Sequence, residues 1–378
     1  MKFIHLSDLH IGKRINDFSM LEDQEYILKR IISIIDEEMP DGVLIAGDIY
    51  DKSVPSAESV QLFDGFLVQL SKRDLQVFVI SGNHDSPERI AFGSRLMSSS
   101  GVYMSPVYDG AVVPVSLSDK YGMVNVFMLP FIKPSHVKRF YPDEDVLTYS
   151  DAVQVAIKQM TVDPKDRNLL ITHQFVTGAS RCDSEDIAVG GSDNVDVSVF
   201  TAFDYVALGH IHSPQNVGSE AVRYCGTPLK YSFSEAGQSK SVTVVELKTK
   251  GCMTVRTVLL VPKRDMVEIK GSYMEITSRD FYKDMDTAAY MHITLTDEED
   301  IPDAVGKLRA IYPNIMKLDY DNKRTRSNLE MYGVDDVENR TPVELFTEFY
   351  EKQNNQPLSA QQRAFVTGVI EKIWEGAQ

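Results

Sequence analysis

The chain has 378 residues, of which 43% are hydrophobic and 25% are charged, and its formal net charge at pH 7 is −16. This length predicts two or three domains, the hydrophobic content is enough for a sizeable core, and the lack of any run of about 18 apolar residues excludes a membrane-spanning helix. Three scattered cysteines predict free thiols in a cytoplasmic protein, and the acidic balance argues at first sight against a nucleic-acid binder, which usually has a basic face.

The first part of the chain, up to about residue 265, alternates apolar strands with helices and then becomes rich in strands. Apolar runs predict strands at 1–6, 42–46, 75–80, 124–129, 168–172, 203–208, 222–225 and 242–247. Helices are predicted at 20–38, 55–72, 86–99 and 150–161. Ser19 with Glu22 predicts a capping box for the first helix, and Ser150 is predicted to cap the last of them. The pattern indicates an α/β fold with two sheets.

Side chains of the kind that bind metals follow five of these strands, at their ends or in the loops beyond. Asp8 and His10 are two residues apart in extended chain, so both point to the same side. Asp48 has two carboxylate oxygens and can bridge two ions about 3.5–4 Å apart. Because ligands collect at strand ends in α/β sheets, we expect these side chains to meet. The set is Asp8, His10, Asp48, Asn83, His173, His210 and His212.

Carboxylate, amide and imidazole donors in this combination suit two divalent metals of borderline hardness held close together. Such a pair lowers the pKa of a shared water and stabilises charge on phosphate oxygens, so the set predicts hydrolysis of a phosphate ester. A lone histidine is more often a hydrogen-bonded structural residue, and we expect this of His5, which lies inside the first strand. His136 and His292 lack neighbours that bind metals and are expected to be ordinary.

The second half of the chain contains three further segments. Residues 176–198 are long and polar, and they either fold over the site or form a plain surface loop. Residues 266–322 resemble a small α+β domain, and residues 323–340 are charged and polar like a linker. In the small domain, strands are predicted at 266–273, 290–296 and 315–321, and helices at 278–285 and 302–311.

Two helices are predicted in the last segment, residues 341–378. Thr341 and Glu344 supply a capping box for the first, with Pro342 in its first turn, and Ser359 with Gln362 repeats that logic for the second. The second helix carries a wide apolar stripe that includes Phe365, Val369, Ile373 and Trp374. A two-helix hairpin cannot bury this stripe on itself, so it needs the main body or another chain. The preceding linker favours another chain.

The motif order resembles the calcineurin-like metallophosphoesterase superfamily: Asp-x-His, Gly-Asp, Gly-Asn-His-Asp, His and Gly-His-x-His. The segments 82–85 and 207–212 are similar to those of the double-strand-break repair nucleases, and the segments 1–13 and 224–235 to the bacterial members of that family. The resemblance is strong over about residues 1–265 and extends to the remainder by layout. It implies a four-layer sandwich of two mixed β-sheets flanked by helices for residues 1–265. It also implies an α+β capping domain at 266–322 and a helical hairpin at 341–378.

The resemblance also implies a role for each motif residue. One metal is held by Asp8, His10, Asp48 and His212, and the second by Asp48, Asn83, His173 and His210. His84 faces the scissile phosphate and stabilises the transition state or protonates the leaving oxygen, and Asp85 orients His84 through its other ring nitrogen. The implied ion is manganese, although the donor set does not separate manganese from iron, zinc or cobalt.

The implied activity is that of a two-metal DNA nuclease with exonuclease action on double-stranded ends and endonuclease action on single strands or hairpins. The resemblance adds ATP stimulation, and a homodimer bound to two ATPase subunits of the SMC type through the C-terminal helices. No Gly-x-x-x-x-Gly-Lys-[Ser/Thr] motif occurs, so ATP use has to come from the partner. Lys13, Arg14 and Arg89 are candidate DNA contacts, with solvated surface charge as the alternative.

Two other classes of function remain open at this point. The first is a phosphoesterase of the same fold that acts on nucleotides or phosphoproteins. Asp85 and the Asp51-Lys-Ser sequence depart from the phosphoprotein phosphatase pattern, which has Gly-Asn-His-Glu and Gly-Asp-x-x-Asp-Arg-Gly. The second is a scaffold that kept the fold without activity, and retention of every proposed ligand and of His84 argues against it.

Overall fold

The computed structural model describes residues 1–185, 194–323, 325, 342–354 and 357–375. The helices are α1 Leu21–Glu38, α2 Ala57–Ser71, α3 Pro87–Ile90, α4 Ser94–Met97, α5 Pro134–Lys138, α6 Tyr149–Lys158, α7 Tyr273–Ile276, α8 Arg279–Tyr282, α9 Ala304–Arg309, α10 Pro342–Asn354 and α11 Ala360–Glu375. Short 3-10 helices occupy Ser98–Ser100, Val197–Phe200 and Phe233–Glu235.

The strands make two six-stranded sheets, one three-stranded sheet and two two-stranded sheets, β2-β3 and β10-β11. They are β1 Lys2–Leu6, β2 Arg14–Ile15, β3 Phe18–Ser19, β4 Gly42–Ala46, β5 Gln76–Ile80, β6 Val102–Met104, β7 Val115–Asp119, β8 Gly122–Leu129, β9 Arg167–His173, β10 Phe175–Val176, β11 Asn194–Val195, β12 Tyr205–Gly209, β13 Gln215–Val217, β14 Ser219–Tyr224, β15 Ser241–Leu247, β16 Met253–Leu259, β17 Met266–Gly271, β18 Tyr290–Leu295 and β19 Ile315–Tyr320.

Both large sheets are mixed and have six strands. The first has the order β16-β15-β1-β4-β5-β6, with β1, β4, β5 and β6 parallel and the other two antiparallel. The second has the order β13-β14-β12-β9-β8-β7, with β14, β12, β9 and β8 parallel. Each sheet thus brings the carboxyl ends of its central parallel strands to one edge.

The two sheets pack face to face and each carries helices on its outer face. Phe3 and Phe78 of the first sheet meet Val126 and Leu169 of the second in a fully buried layer. The outer face of the first sheet packs on α1 and α2, and that of the second on α5 and α6. Continuous apolar strands such as β4, buried at every position, fit this arrangement because both of their faces are covered. The four-layer α/β fold expected from the sequence is confirmed.

Three details of the secondary structure expected for residues 1–265 are wrong. The helix expected at 86–99 is broken into α3 and α4, because Gly93 between them has φ 75°, which no helix contains. The first helix has Met20 at its N-cap without a side-chain cap, since Ser19 lies in β3. The cap of α6 is Thr148, which exchanges hydrogen bonds with Asp151, rather than Ser150.

The small sheet has the order β17-β18-β19 and is accompanied by α7, α8 and α9. The first strand ends at Gly271 and not at 273, because Ser272 and Glu275 form a capping box that begins α7. Residues 1–294 and 302–319 make one compact unit, and residues 295–301 and 320–378 make another. The domain boundaries at 265 and 322 stay predictions.

The C-terminal segment contains two helices, as predicted. Ser359 and Gln362 form the expected capping box at the start of α11, and Gln362 Nε2 donates to the Tyr350 hydroxyl of α10 at 3.0 Å. Thr341, nearly all of the predicted linker and the side chains of Ile373 and Trp374 lie outside the described residues. Among the helices that the structure describes, none has the length and apolar character needed to cross a bilayer.

Candidate metal centre

The metal-binding side chains lie where the parallel strands of both sheets end. Four of them have backbone in the left-handed region: φ is 53° at Asp8, 44° at His10, 49° at Asp48 and 102° at His210. Few residues other than glycine adopt positive φ, and such strained backbone clusters at functional sites. The turns after β1, β4 and β12 therefore aim these side chains to one place at a cost in backbone energy.

Glycine is required at two close approaches beside the ligands, one between the loops after β4 and β5 and one between β12 and β4. A Cβ atom at Gly82 would lie 2.1 Å from Asp48 Oδ1, and one at Gly209 would lie 1.9 Å from the Ala46 carbonyl oxygen. No larger residue fits at either position without displacing the backbone or a ligand. The glycines of the Gly-Asn-His-Asp and Gly-His-x-His motifs thus serve the close packing of the loops that carry the ligands.

The first group of ligands comprises Asp8, His10 and His212. His10 Nε2 lies 3.1 Å from His212 Nε2, so two imidazole nitrogens face one another. Asp8, His10 and His212 can each place one ligand atom within 4.8 Å of the others. All three are buried, with Asp8 and His10 fully so. Facing nitrogen lone pairs beside a carboxylate form a donor set that a divalent cation fits.

The second group comprises Asn83, His173 and His210. The Asn83 amide oxygen lies 3.0 Å from His173 Nε2 and 3.0 Å from His210 Nδ1. His173 Nδ1 lies 2.8 Å from the Ala46 carbonyl oxygen, which accepts its hydrogen and leaves Nε2 as the free donor atom. A backbone carbonyl therefore sets the ring orientation in this group.

Asp48 lies between the two groups. Its Oδ2 is 3.3 Å from His173 Nε2 and 3.7 Å from His10 Nε2, so one carboxylate reaches a histidine of each group. Its Oδ1 accepts the His84 backbone N–H at 2.9 Å. This position is the one that a bridging ligand of two cations requires.

His84 stands at the mouth of the cluster. Its Nε2 is 3.9 Å from Asp48 Oδ2, and its ring meets the His10 ring edge to face with centroids 4.9 Å apart. The side chain is 20% exposed, whereas the side chains of Asp48 and His10 are exposed by 3% or less. A ring in this position is open to a molecule that approaches the buried ligands.

The predicted pairing of Asp85 with His84 is wrong. His84 Nδ1 lies 3.1 Å from the Asp51 carbonyl oxygen. The Asp85 carboxylate instead accepts the backbone N–H groups of Ile49, Tyr50 and Gly82 at 3.1, 3.0 and 2.9 Å. Asp85 therefore ties the loop after β5 to the loop after β4, because those loops leave N–H groups without partners in a strand.

Burial and charge determine which ligands are neutral in the metal-free chain. Burial lowers the pKa of His210 to about 3 and also lowers the pKa values of His10 and His212. At pH 7 these imidazoles are neutral and carry the lone pair that a metal needs. Burial alone would raise the pKa of Asp48, but the nearby His173 outweighs it and holds that pKa well below the usual range.

We expect manganese to bind more weakly to this site as the pH falls. Burial raises the pKa of Asp8 to about 7, and Asp48 raises the pKa of His173 to about 9 against the opposing effect of burial. Both groups must lose protons to act as ligands, so the affinity falls about tenfold per pH unit for each proton displaced. Between pH 9 and 7 one proton is displaced, and below pH 7 two are. Calorimetric titration at pH 6, 7 and 8 in buffers of different ionisation enthalpy counts these protons, and a pH-independent affinity would contradict the assignment.

The three remaining histidines lie outside the metal cluster, and His292, which was expected to lack ligand neighbours, has two carboxylates beside it. His5 is fully buried, with Nδ1 2.9 Å from the Tyr205 hydroxyl and Nε2 3.2 Å from the Leu208 carbonyl oxygen. His292 lies between Glu268 and Asp319, 2.8 Å from each, and His136 belongs to the first turn of α5. These three are held by protein groups outside the cluster.

The three predicted DNA contacts differ from one another in their positions relative to the metal cluster. The Lys13 ammonium is 2.9 Å from Asp51 Oδ1, beside the loop that supports His84. Arg14 lies exposed in β2, and Arg89 is exposed in α3, four residues after Asp85. Lys13 is thus within reach of a molecule at the cluster, and the positions of the other two leave their roles as predictions.

Several residues that support the ligands were missed from the sequence. Ser184 and Glu185 of the segment 176–185 contact His212, which favours folding over the site for the described part of that segment. The Tyr231 hydroxyl donates to the Leu9 carbonyl oxygen at 2.5 Å, and Gln24 Nε2 donates to the His10 carbonyl oxygen at 2.8 Å. For Tyr231 the available signal was the stretch 224–235, which resembles known nucleases, whereas Ser184, Glu185 and Gln24 lie outside that stretch.

The donor set and its orientation fit two divalent ions. Asp8, His10 and His212 form one subsite, and Asn83, His173 and His210 lie together as another, with Asp48 within reach of both. Two further groups are also close enough to hold an ion, His10 with Asp48 and His84, and Asp8 with Asp48 and His173. His10 Nδ1 is buried and, among the described residues, has no hydrogen-bond partner. The geometry alone leaves manganese, iron, zinc and cobalt equally acceptable.

Two family models match the chain. The model described as calcineurin-like phosphoesterase matches residues 1–214, which contain all seven proposed ligands. The model described as the Type 5 capsule protein repressor C-terminal domain matches residues 262–354. The first match ends at residue 214 and the second begins at residue 262.

Among curated proteins, the chain is similar along nearly its whole length to nuclease subunits from staphylococci. It is 34% identical over 366 residues to the SbcD subunit of the nuclease SbcCD of Staphylococcus epidermidis, with 95% of each chain covered. It is 30% identical over 384 residues to the protein of the same name from Staphylococcus saprophyticus, with 99% of each covered. Among solved structures, a dimetal phosphatase from Danio rerio aligns with 69% of this chain and 96% of its own, at 14% identity and a TM-score of 0.42.

Proposed function

The chain belongs to the calcineurin-like phosphoesterase family of metal-dependent hydrolases and, within it, to the SbcD nuclease subunits, and from this premise we propose that it hydrolyses DNA phosphodiester bonds with two divalent ions. The observation that carries the proposal is the convergence of seven side chains, from Asp8 to His212, into two subsites that share Asp48. We propose manganese as the ion, in keeping with the family resemblance.

The chemistry that two bound divalent ions supply is a lowered pKa for a coordinated water and stabilisation of charge on the phosphate oxygens. The protein contributes two carboxylates, Asp8 and Asp48, which offset about half of the four positive charges. The neutral histidines and Asn83 offset none, so the cluster keeps a positive field that attracts an anionic phosphodiester. No serine or cysteine nucleophile is needed for this reaction.

His84 is proposed as the residue that handles the leaving group. Its Nδ1 hydrogen is donated to the Asp51 carbonyl oxygen, which fixes the ring and points Nε2 toward the cluster. From the mouth of the site, Nε2 of the imidazolium form, which carries a hydrogen on both ring nitrogens, would donate a hydrogen bond or its proton to the departing ribose oxygen and leave the neutral ring. Asp48 accepts the His84 backbone N–H, and this hydrogen bond ties the residue that carries the ring to the bridging carboxylate.

The finer activity is also part of the proposal. We propose exonuclease action on double-stranded ends and endonuclease action on single strands or hairpins, in the cytoplasm. ATP stimulation would come from SbcC, the SMC-type ATPase, since this chain has no phosphate-binding loop motif. The assembly would be a homodimer of this chain with two ATPase subunits, and Lys13, Arg14 and Arg89 would contact DNA phosphates.

The C-terminal helices are proposed as the docking site for SbcC. Within α10 and α11, Phe349 is 60% exposed and Phe365 is 73% exposed, with Phe346 and Val369 each at 40%. A hairpin that leaves large apolar side chains in contact with water has an apolar face available for a partner helix. The base of a coiled coil supplies a helical surface of that kind.

A chain that ends at Arg340 is expected to keep its activity on a small chromogenic phosphodiester but to lose co-purification with SbcC. The reason is that all proposed ligands lie before residue 213, whereas the exposed apolar side chains of the hairpin lie after residue 341. Co-expression with tagged ATPase and affinity capture measures the second effect. As a control, Phe349→Ala with Phe365→Ala in the full chain should weaken capture without changing ester hydrolysis. Continued capture of the truncated chain would contradict the docking proposal.

One assay separates the proposed nuclease from another phosphoesterase of the same fold. The purified chain is incubated with manganese and a labelled duplex that ends in a hairpin, with and without SbcC and ATP, beside a small chromogenic phosphodiester. We expect cleavage of the DNA, strengthened by the partner. Hydrolysis of the small ester alone, with intact DNA even when the partner is present, would favour the alternative of a small-molecule or nucleotide phosphoesterase.

A further inference from the structure

His212 is supported on its outer side by a chain of polar side chains that leads away from the metal centre. Its Nδ1 lies 2.6 Å from the Ser184 hydroxyl oxygen, and the Ser184 hydroxyl donates to Glu235 Oε1 at 2.5 Å. Glu235 Oε2 in turn lies 2.5 Å from the Lys240 ammonium. The side chains of Glu235 and Lys240 are 0% and 3% exposed, so this ion pair is held inside the protein.

The positions of the hydrogens between His212, Ser184 and Glu235 follow from the fact that a hydroxyl group has a single proton to donate. Because Ser184 donates its hydrogen to Glu235, its oxygen accepts from His212, and His212 therefore carries a hydrogen on Nδ1. The other ring nitrogen, Nε2, then has a lone pair, and it faces His10 Nε2 at 3.1 Å. The hydrogen-bonded relay of His212, Ser184 and Glu235 thus presents Nε2 of His212 to the first subsite.

The backbone of His212 is held by the same group of residues. Glu185 Oε1 accepts the His212 N–H at 2.7 Å, and Glu185 Oε2 accepts the Cys182 N–H at 3.1 Å. The Lys240 ammonium donates to the His212 carbonyl oxygen at 2.9 Å. Ring and backbone are therefore fixed together by the segment 182–185 on one side and by Glu235 and Lys240 on the other.

The two subsites differ in how their histidines are oriented. In the second subsite the ring of His173 is oriented by a backbone carbonyl, that of Ala46, which no side-chain substitution removes. In the first subsite the ring of His212 depends on Ser184, a half-buried residue on a connecting segment. Partners of this kind, which hold a ligand's ring without touching the metal, typically change metal affinity by about 10- to 100-fold when removed.

We propose that Ser184 and Glu235 are positioning residues for the first metal subsite, formed by Asp8, His10 and His212, and that they set the affinity of that subsite independently of the second. The inference rests on the proposed two-metal function. The expected effect is asymmetric: loss of either residue lowers the affinity of the first subsite for its ion and leaves the affinity of the second unchanged.

Manganese titration of the full-length protein, followed by calorimetry and electron paramagnetic resonance, tests the asymmetry. Ser184→Ala is expected to lower the affinity of one of two manganese sites by about 10- to 100-fold and to leave the other unchanged. At limiting manganese, the spin-coupled signal of a metal pair should give way to that of single ions. Glu235→Gln should act in the same direction, and Ser184→Thr, which keeps the hydroxyl, should restore wild-type binding.

Ser180→Ala is the matched control. Ser180 is an exposed serine in the same segment whose hydrogen bonds with Gln215 involve only its own backbone atoms, so the variant should bind manganese like the wild type. Equal weakening of both sites by Ser184→Ala, unchanged binding, or failure of Ser184→Thr to restore it would overturn the proposed relay. If Ser184→Ala does not fold, Glu235→Gln decides by the same criterion. A wild-type chain that binds no manganese would overturn the two-metal function itself, which is a different result.

Discussion

Replacement of His84 by alanine is expected to lower the rate of phosphodiester cleavage by about 10²- to 10⁴-fold, the range typical of a lost general acid. Both metal ions should stay bound. The imidazole lies at the mouth of the site, 3.9 Å from Asp48 Oδ2, and is outside both groups of proposed ligands. Its backbone N–H, which Asp48 accepts, remains in the variant. The variant should therefore lose catalysis while it keeps metal binding.

Elemental analysis of the purified variant and single-turnover cleavage of the labelled hairpin measure the two effects. His136→Ala is a suitable control, since His136 lies in the first turn of α5, outside the metal cluster, and its loss should leave both quantities unchanged. Loss of metal from His84→Ala would contradict its assigned role and place the residue among the ligands. A further distinction comes from esters with good leaving groups, whose hydrolysis should be reduced less because departure of the oxygen needs less help from an acid.

Asp48→Asn is expected to remove most metal binding from both subsites and to lower activity by about 10³-fold or more. Asparagine has nearly the same shape but carries no negative charge and only one oxygen, so it cannot bridge two cations. Stabilisation of transition-state charge by metal ions is worth several kcal/mol, and about 1.4 kcal/mol corresponds to a factor of ten in rate. Since Asp48 Oδ2 reaches a histidine of each subsite, the loss should be shared.

Equilibrium dialysis against manganese, with circular dichroism to establish that the variant is folded, tests this prediction. Asp145→Asn, at an exposed position far along the chain from the ligands, is the matched control. A variant that loses one ion but keeps the other at wild-type affinity would show that Asp48 is a ligand of a single subsite. The bridge would then be wrong, although the two-metal function could still be correct.

Substitutions of Asp48 and of Ser184 are expected to affect different numbers of bound ions. Removal of Asp48 should affect both ions, whereas removal of Ser184 should affect one, because one residue lies between the subsites and the other supports only His212. The same titration applied to both variants therefore distinguishes a bridging ligand from a positioning residue. A common pattern of loss would indicate general destabilisation of the cluster instead.

The sequence pattern was sufficient to predict an α/β fold with two sheets and the seven residues that converge, whereas the four-layer arrangement was implied by the family resemblance. The reason is local: β4 is apolar along its whole length, residues 169–171 of β9 are apolar, and the polar residues at or beyond the ends of these strands lie at a sheet edge, where neighbouring parallel strands also end. His5 was correctly separated from the ligands for the same reason, because it lies inside a strand and not beyond it. Periodicity and strand ends are properties of short segments, which can be read without knowledge of the packing.

What only the tertiary structure decided is the hydrogen-bonded support of those ligands. Asp85 holds the backbone 35 and 36 residues before it rather than the adjacent His84, and Ser184 joins His212 to Glu235 over separations of 28 and 51 residues. Such partners are selected by the need of buried polar groups for hydrogen bonds, and that need is met by whichever group the packed sheets bring near. The break in the helix at Gly93 and the cap at Thr148 are, by contrast, local features, since Gly93 has φ 75° and Thr148 exchanges hydrogen bonds with Asp151 three residues later. The identity of the ligands could therefore be predicted from the sequence, whereas the orientation of their side chains depends on contacts with residues that are distant in the sequence.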